Sequence, residues 1–160
     1  RKGDNMKKII WLMVTLLFCV SCTQSQIDPR FEEYQQIKDH LITKKSFDQD
    51  FDFQIRVIFN QMDKGYRYDV LIDHAQVDMY DIQAMAYAGE SDKKMCPVIG
   101  LFDDEPYHLK VGLVDKENHF YKGIQLSGEC SSKKSIKVYI SYYQDEQKSK
   151  KVIKYIEVKE

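Results

Sequence analysis

The chain has 160 residues, 43% of them hydrophobic and 31% charged, which suffices for one core but not comfortably for two domains. Its formal net charge of −1 carries no basic excess and excludes a nucleic-acid-binding protein held by phosphate contacts. With four cysteines and seven glycines it is neither a disulfide-dense scaffold nor a low-complexity chain.

The first informative stretch starts at Met6. Lys7 and Lys8 are followed by a run from Ile9 to Ser21 without one charge, then by the polar Thr23-Gln24-Ser25-Gln26 after Cys22. A basic start, a short apolar middle and a small-residue exit define a secretory signal. The run is too short to cross about 30 Å of hydrocarbon, which takes roughly 20 apolar residues. Residues 1–5 can be encoded by a purine-rich string containing a ribosome-binding site. They are therefore expected to be translated leader, with Met6 as the true initiator.

The exit Cys19-Val20-Ser21-Cys22 resembles the lipobox of bacterial lipoproteins, although Cys19 stands where that family usually has Leu. Ser21 would also suit an ordinary signal peptidase. The resemblance covers residues 6–22 and implies a diacylglycerol on the Cys22 thiol, with cleavage in front of it. Stable anchoring takes two or more acyl chains, since one holds only marginally. In its general look the chain is similar to small surface lipoproteins of Gram-positive bacteria, streptococcal in type. The implied organisation is a signal at 6–21, a tether at 22–27 and a single domain at 28–160. Its place would be the outer face of the cell membrane, held by lipid on Cys22.

Removing residues 1–21 takes away four basic residues and one acidic one, moving the net charge from −1 to −4. It also leaves Cys96 and Cys130 as a pair in a compartment that permits disulfides, so a bridge between them is expected, with two buried thiols as the alternative.

Asp28-Pro29 is a helix start, with Asp as N-cap and Pro at the first helical position. Phe31, Tyr34, Ile37 and Leu41 form one apolar stripe, and Lys44 and Lys45 complement the negative end. From Phe51 the period changes to two: Phe51, Phe53, Ile55, Val57 and Phe59 alternate with polar residues. The turn Asp63-Lys64-Gly65 leads into Tyr66, Tyr68, Val70 and Ile72, so 51–72 reads as a hairpin. A third strand is expected at Ile82–Tyr87, and an irregular edge piece at Met95–Phe102, broken by Pro97 and Gly100. A second hairpin is expected from His108–Val114 and Phe120–Leu126. The last strands are Ile136–Tyr142 and Val152–Val158.

One helix followed by seven or eight short strands predicts an antiparallel, immunoglobulin-like β-sandwich, though without the Cys…Trp…Cys core signature. Such folds host many functions, so activity must be argued from a site.

No motif supplies one. His40, His74, His108 and His119 make no HxH or HExxH spacing. Asp103, Asp104 and Glu105 are consecutive and lack the spaced pattern of a calcium loop. There is no Gly-x-Ser-x-Gly elbow and no phosphate-cradling loop. The many tyrosines read first as strand residues and second as an interface. The expectation is a non-catalytic binding or accessory module with no cofactor, no metal and no catalytic residue. Its partner would be a protein or small molecule, besides the membrane itself. The alternatives are a small-ligand or metal carrier serving a transporter and, third, an enzyme whose site is assembled from distant residues.

Overall fold

A computed structural model describes residues 28–89 and 95–160. The signal, Cys22 and the tether lie outside the described residues, as do residues 90–94.

The helix α1 spans Pro29–Thr43 and starts where the sequence places it. The Asp28 carboxylate accepts the Arg30 N–H at 2.9 Å, satisfying an amide that has no partner inside the helix. Tyr34, Ile37 and Leu41 are buried, whereas Phe31, at the stripe's N-terminal end, remains 40% exposed. The C-terminal end is capped from far along the chain. Lys137 Nζ donates to the carbonyls of Leu41, Ile42 and Lys44 at 3.0, 3.1 and 3.1 Å.

Seven strands follow: β1 (Gln54–Gln61), β2 (Tyr66–Asp73), β3 (Tyr80–Tyr87), β4 (Val98–Ile99), β5 (Gly123–Cys130), β6 (Ile136–Tyr143) and β7 (Lys151–Val158). They form two antiparallel sheets, ordered β1-β2-β5 and β4-β3-β6-β7. This is a β-sandwich preceded by one helix. The immunoglobulin constant arrangement sets the fourth strand beside the fifth; here the two-residue β4 lies on the opposite sheet, against β3.

The alternation has the expected physical basis. Val57, Phe59, Tyr68, Val70, Ile72, Ile124 and Leu126 point inward from the first sheet. They meet Ile82, Ala84, Ala86, Val138, Ile140 and Tyr142 from the second. A smaller cluster lies on the other side of the second sheet, where Tyr34, Ile37 and Leu41 of α1 pack with Met85, Cys96, Leu101 and Tyr139. Five tyrosines, Tyr34, Tyr68, Tyr80, Tyr139 and Tyr142, are buried. Five of the eleven tyrosines in the sequence are thus core residues.

Three expectations need correction. The first strand begins at Gln54 instead of Phe51. Phe51 and Phe53 instead stack on each other with ring centroids 5.1 Å apart, and Phe53 meets Tyr142 edge-on. The hairpin expected from 108–114 and 120–126 does not form. Residues 108–120 make only isolated bridges and a 3-10 turn at Lys116–Asn118, and β5 pairs with β2. Within the segment the chain turns at Lys110–Leu113, and His119 takes a left-handed φ of 62°. Finally, Cys96 and Cys130 are buried and not joined by a disulfide. Each is packed elsewhere, Cys96 in the cluster beneath α1 and Cys130 in the main core.

The connection from α1 to β1 runs along β7. The Asp48 N–H donates to the Tyr155 carbonyl at 2.7 Å, and the Tyr155 N–H donates back to the Asp48 carboxylate at 2.8 Å. Among the described residues no helix is long and apolar enough to cross a membrane.

Candidate functional site

A cleft of about 940 Å³ opens between the sheets where β2 begins and β3 and β5 end. That lies near the upper end of the volumes typical of small-molecule sites. Its walls combine Ala86, Ala88, Met95 and Pro97 with Tyr68, Tyr87 and both remaining cysteines. Lys64, Arg67, Ser127 and Ser131 add polar groups, and Glu129 an acid. The absence of a side chain at Gly128 matters, because a Cβ there would collide with the Tyr68 hydroxyl.

Arg67 is held by strand neighbours. Its Nε and Nη2 donate to Asp69 Oδ1 at 3.2 and 3.1 Å, and the same oxygen accepts from Ser127 and Gln125 at 2.6 and 2.9 Å. Burial opposes ionisation of Asp69, but the hydrogen bonds from Ser127, Arg67 and Gln125, with the charge on Arg67, hold its carboxyl below the ordinary value. A neighbouring group works likewise. Arg56 donates to both oxygens of Asp73 at 3.0 and 2.8 Å, the paired geometry that suits guanidinium to carboxylate.

At the opposite end of the sandwich lies a polar centre around His108. Asp81 has a φ of 47° and interrupts the β3–β6 register. Its backbone N–H donates to His108 Nδ1 at 3.0 Å, which makes that nitrogen an acceptor. The Asp81 carboxylate pairs with Lys148. The His108 ring packs against Phe120 and Tyr80 at centroid distances of 5.1 and 5.5 Å. Burial is the main reason its pKa lies below the ordinary 6.5, with Asp81 pulling the other way.

This centre predicts a pH effect. Well above pH 6.5 His108 is neutral both folded and unfolded. As pH falls below that, the unfolded chain takes up the proton first, so stability declines. Urea midpoints between pH 7 and about pH 5 should fall less steeply in His108→Gln than in the wild type. Equal slopes would show that His108 titrates alike in both states.

No family model, curated protein or solved structure matches this chain.

The other residues singled out by sequence are dispersed. His40 lies edge-on to Tyr155, with Nδ1 3.4 Å from the phenolic oxygen. His74 contacts Asp73 at 2.7 Å. His119 Nδ1 lies 3.5 Å from Glu105, and a second opening of about 470 Å³ is bordered by Asp103, Asp104, Glu105 and Asp81. Asp103 is a structural acceptor, taking the Gly100 N–H at 2.7 Å. Among the described residues no group of three or more His, Cys, Asp or Glu side chains is placed to hold a metal ion.

The structure does bring Cys96 and Cys130 to one cleft, although in separate packed clusters. Cys22 lies outside the described residues. The cleft itself had no signal in the sequence, since its lining comes from four separate stretches.

Proposed function

We propose that this protein is a lipid-anchored, extracytoplasmic binding module without catalytic activity, held to the membrane through Cys22. The observation that carries the binding part is the cleft, an opening of ligand size between the sheets with apolar walls beside Lys64 and Arg67. That lining suits a ligand with an apolar body and an acidic group. The same size favours, as a second reading, a small-ligand carrier working with a transporter.

Two measurements test the two parts separately. Cells fed labelled palmitate should label the wild type and not Cys22→Ala; an unlabelled wild type would make this a freely secreted protein. For the cleft, the probe is anilinonaphthalene sulfonate, an apolar fluorophore with one acid group. Met95 lines the opening and is 60% exposed, so Met95→Glu can place a charge there without disturbing the core. Saturable binding should weaken about tenfold in the variant, equivalent to roughly 1.4 kcal/mol, at an unchanged urea midpoint. Non-saturable binding, or equal affinities, would remove the cleft as a binding site.

A further inference from the structure

Three exposed aliphatic side chains stand within four residues of one another between the Leu109 bridge and the 3-10 turn. Val111, Leu113 and Val114 are 54%, 40% and 56% exposed. They sit on a tight turn closed by the Leu113 N–H donating to the Lys110 carbonyl at 3.2 Å. Gly112 at its tip has a φ of 73°, and a Cβ built there would meet nothing within 4 Å. The tip of the turn therefore faces open space. Isolated exposed aliphatics need no explanation, but a cluster on one turn does.

Its position in the fold points to an occupant. Leu109 pairs with Met79, immediately before β3, and Val111 N–H donates to Asp78 at 3.1 Å. The turn thus extends beyond the end of the sandwich where Tyr80, Tyr143 and Lys151 are aligned. The start of α1 lies at this same end. Arg30 reaches the Phe102 carbonyl at 3.3 Å and Asp104 at 3.6 Å, whereas the far end of α1 is capped by Lys137, level with Tyr87. Glu105 is next in the chain after Asp104 and approaches His119, just past the 3-10 turn.

Six residue steps separate Asp28 from Cys22, at most about 20 Å of extended chain. A lipid on Cys22 would hold this end of the domain against the bilayer. No acid lies within residues 109–114, although Asp78, which accepts the Val111 N–H, and Asp115 flank the turn and would have to stay at the aqueous side of the interface.

We infer that the Lys110–Val114 turn is a second membrane contact, inserting Val111, Leu113 and Val114 into the lipid interface and orienting the domain on its anchor. The inference rests on the anchored reading above. The acyl chains on Cys22 would already hold the chain to the bilayer; what apolar insertion of the turn adds is a fixed orientation. The contact also sets the geometry of the cleft, which lies at the opposite end of β3 and so faces away from the bilayer.

The test uses the chain from residue 22 onward, with a histidine tag in place of the lipid, captured on phosphatidylcholine vesicles doped with nickel-chelating lipid. Trp11, the only tryptophan in the sequence, precedes residue 22, so L113W carries a single indole reporter. On capture its emission should shift to the blue and be quenched by brominated acyl chains. Both effects should vanish when Val111→Asp and Val114→Asp are added. Emission that is the same captured and free, or unquenched by brominated lipid, would overturn the proposal. Because the tag replaces the lipid, this result is independent of palmitate labelling, which reports on the anchor alone.

Discussion

Gly100→Ala should lower the unfolding free energy by about 3 kcal/mol or more, the largest loss expected from a Gly→Ala change among the described residues. Two costs combine. Gly100 has a φ of 73°, in the left-handed region where an L side chain is strained. Its Cβ would also run into the Ile82 carbonyl oxygen, with the Ile82 carbonyl carbon at 3.1 Å. Neither atom can step aside, because both belong to β3, which is paired with β6 just beyond Ile82. The added methyl would push the 95–102 segment off the sheet, taking Leu101 and Cys96 out of the cluster beneath α1. Urea denaturation should show a lower midpoint, with a fall in melting temperature of about 10 °C. A loss below about 1 kcal/mol would mean that the segment moves aside at little cost.

Lys137→Met should cost about 2–3 kcal/mol, and its effect should be concentrated in α1. The ammonium serves three carbonyls that the helix cannot satisfy itself, and it places a positive charge at the negative end of the helix dipole. Methionine keeps most of the packing of the aliphatic stem while removing all three donors. Lys137 is only partly buried, so water can replace some of what is lost, which keeps the cost below the full value of three charged hydrogen bonds. Amide exchange should accelerate selectively from about Ile37 to Lys44 while β1, β2 and β5 keep their protection. Uniform acceleration across both sheets would show that the helix and the sandwich open together.

The parts of the fold legible in the sequence are those governed by neighbouring residues. Asp28 and Pro29 mark a helix start by their own chemistry, and Phe59, Tyr68 and Val70 declare their faces through period-two alternation. Pro97 and Gly100 correctly limit 95–102 to a short edge piece. The segment 108–114 misled because Leu109, Val111 and Leu113 alternate with polar residues or glycine just as a strand would. What it lacks is a partner, because β2 takes its second neighbour from 123–130, a pairing decided by long-range packing. Lys137 looks like any surface lysine until the fold brings a helix terminus to it. The cleft was equally hidden, since Lys64, Met95 and Glu129 share a surface only once the two sheets face each other. Cys96 and Cys130 could be paired by elimination, but their separate packing is a tertiary fact.

The two hydrogen bonds between Asp48 and Tyr155 have a consequence beyond joining the helix to the sheet. β7 is a terminal strand of its sheet, and its outward backbone groups could template pairing with another chain. Asp48 occupies them midway along the strand, using a side chain as acceptor where another strand would offer a carbonyl. Lys151 and Lys154 add charges along the same strand, a further discouragement to strand addition. A single carboxylate that closes the middle of an edge strand thus helps keep copies of this chain from pairing through it.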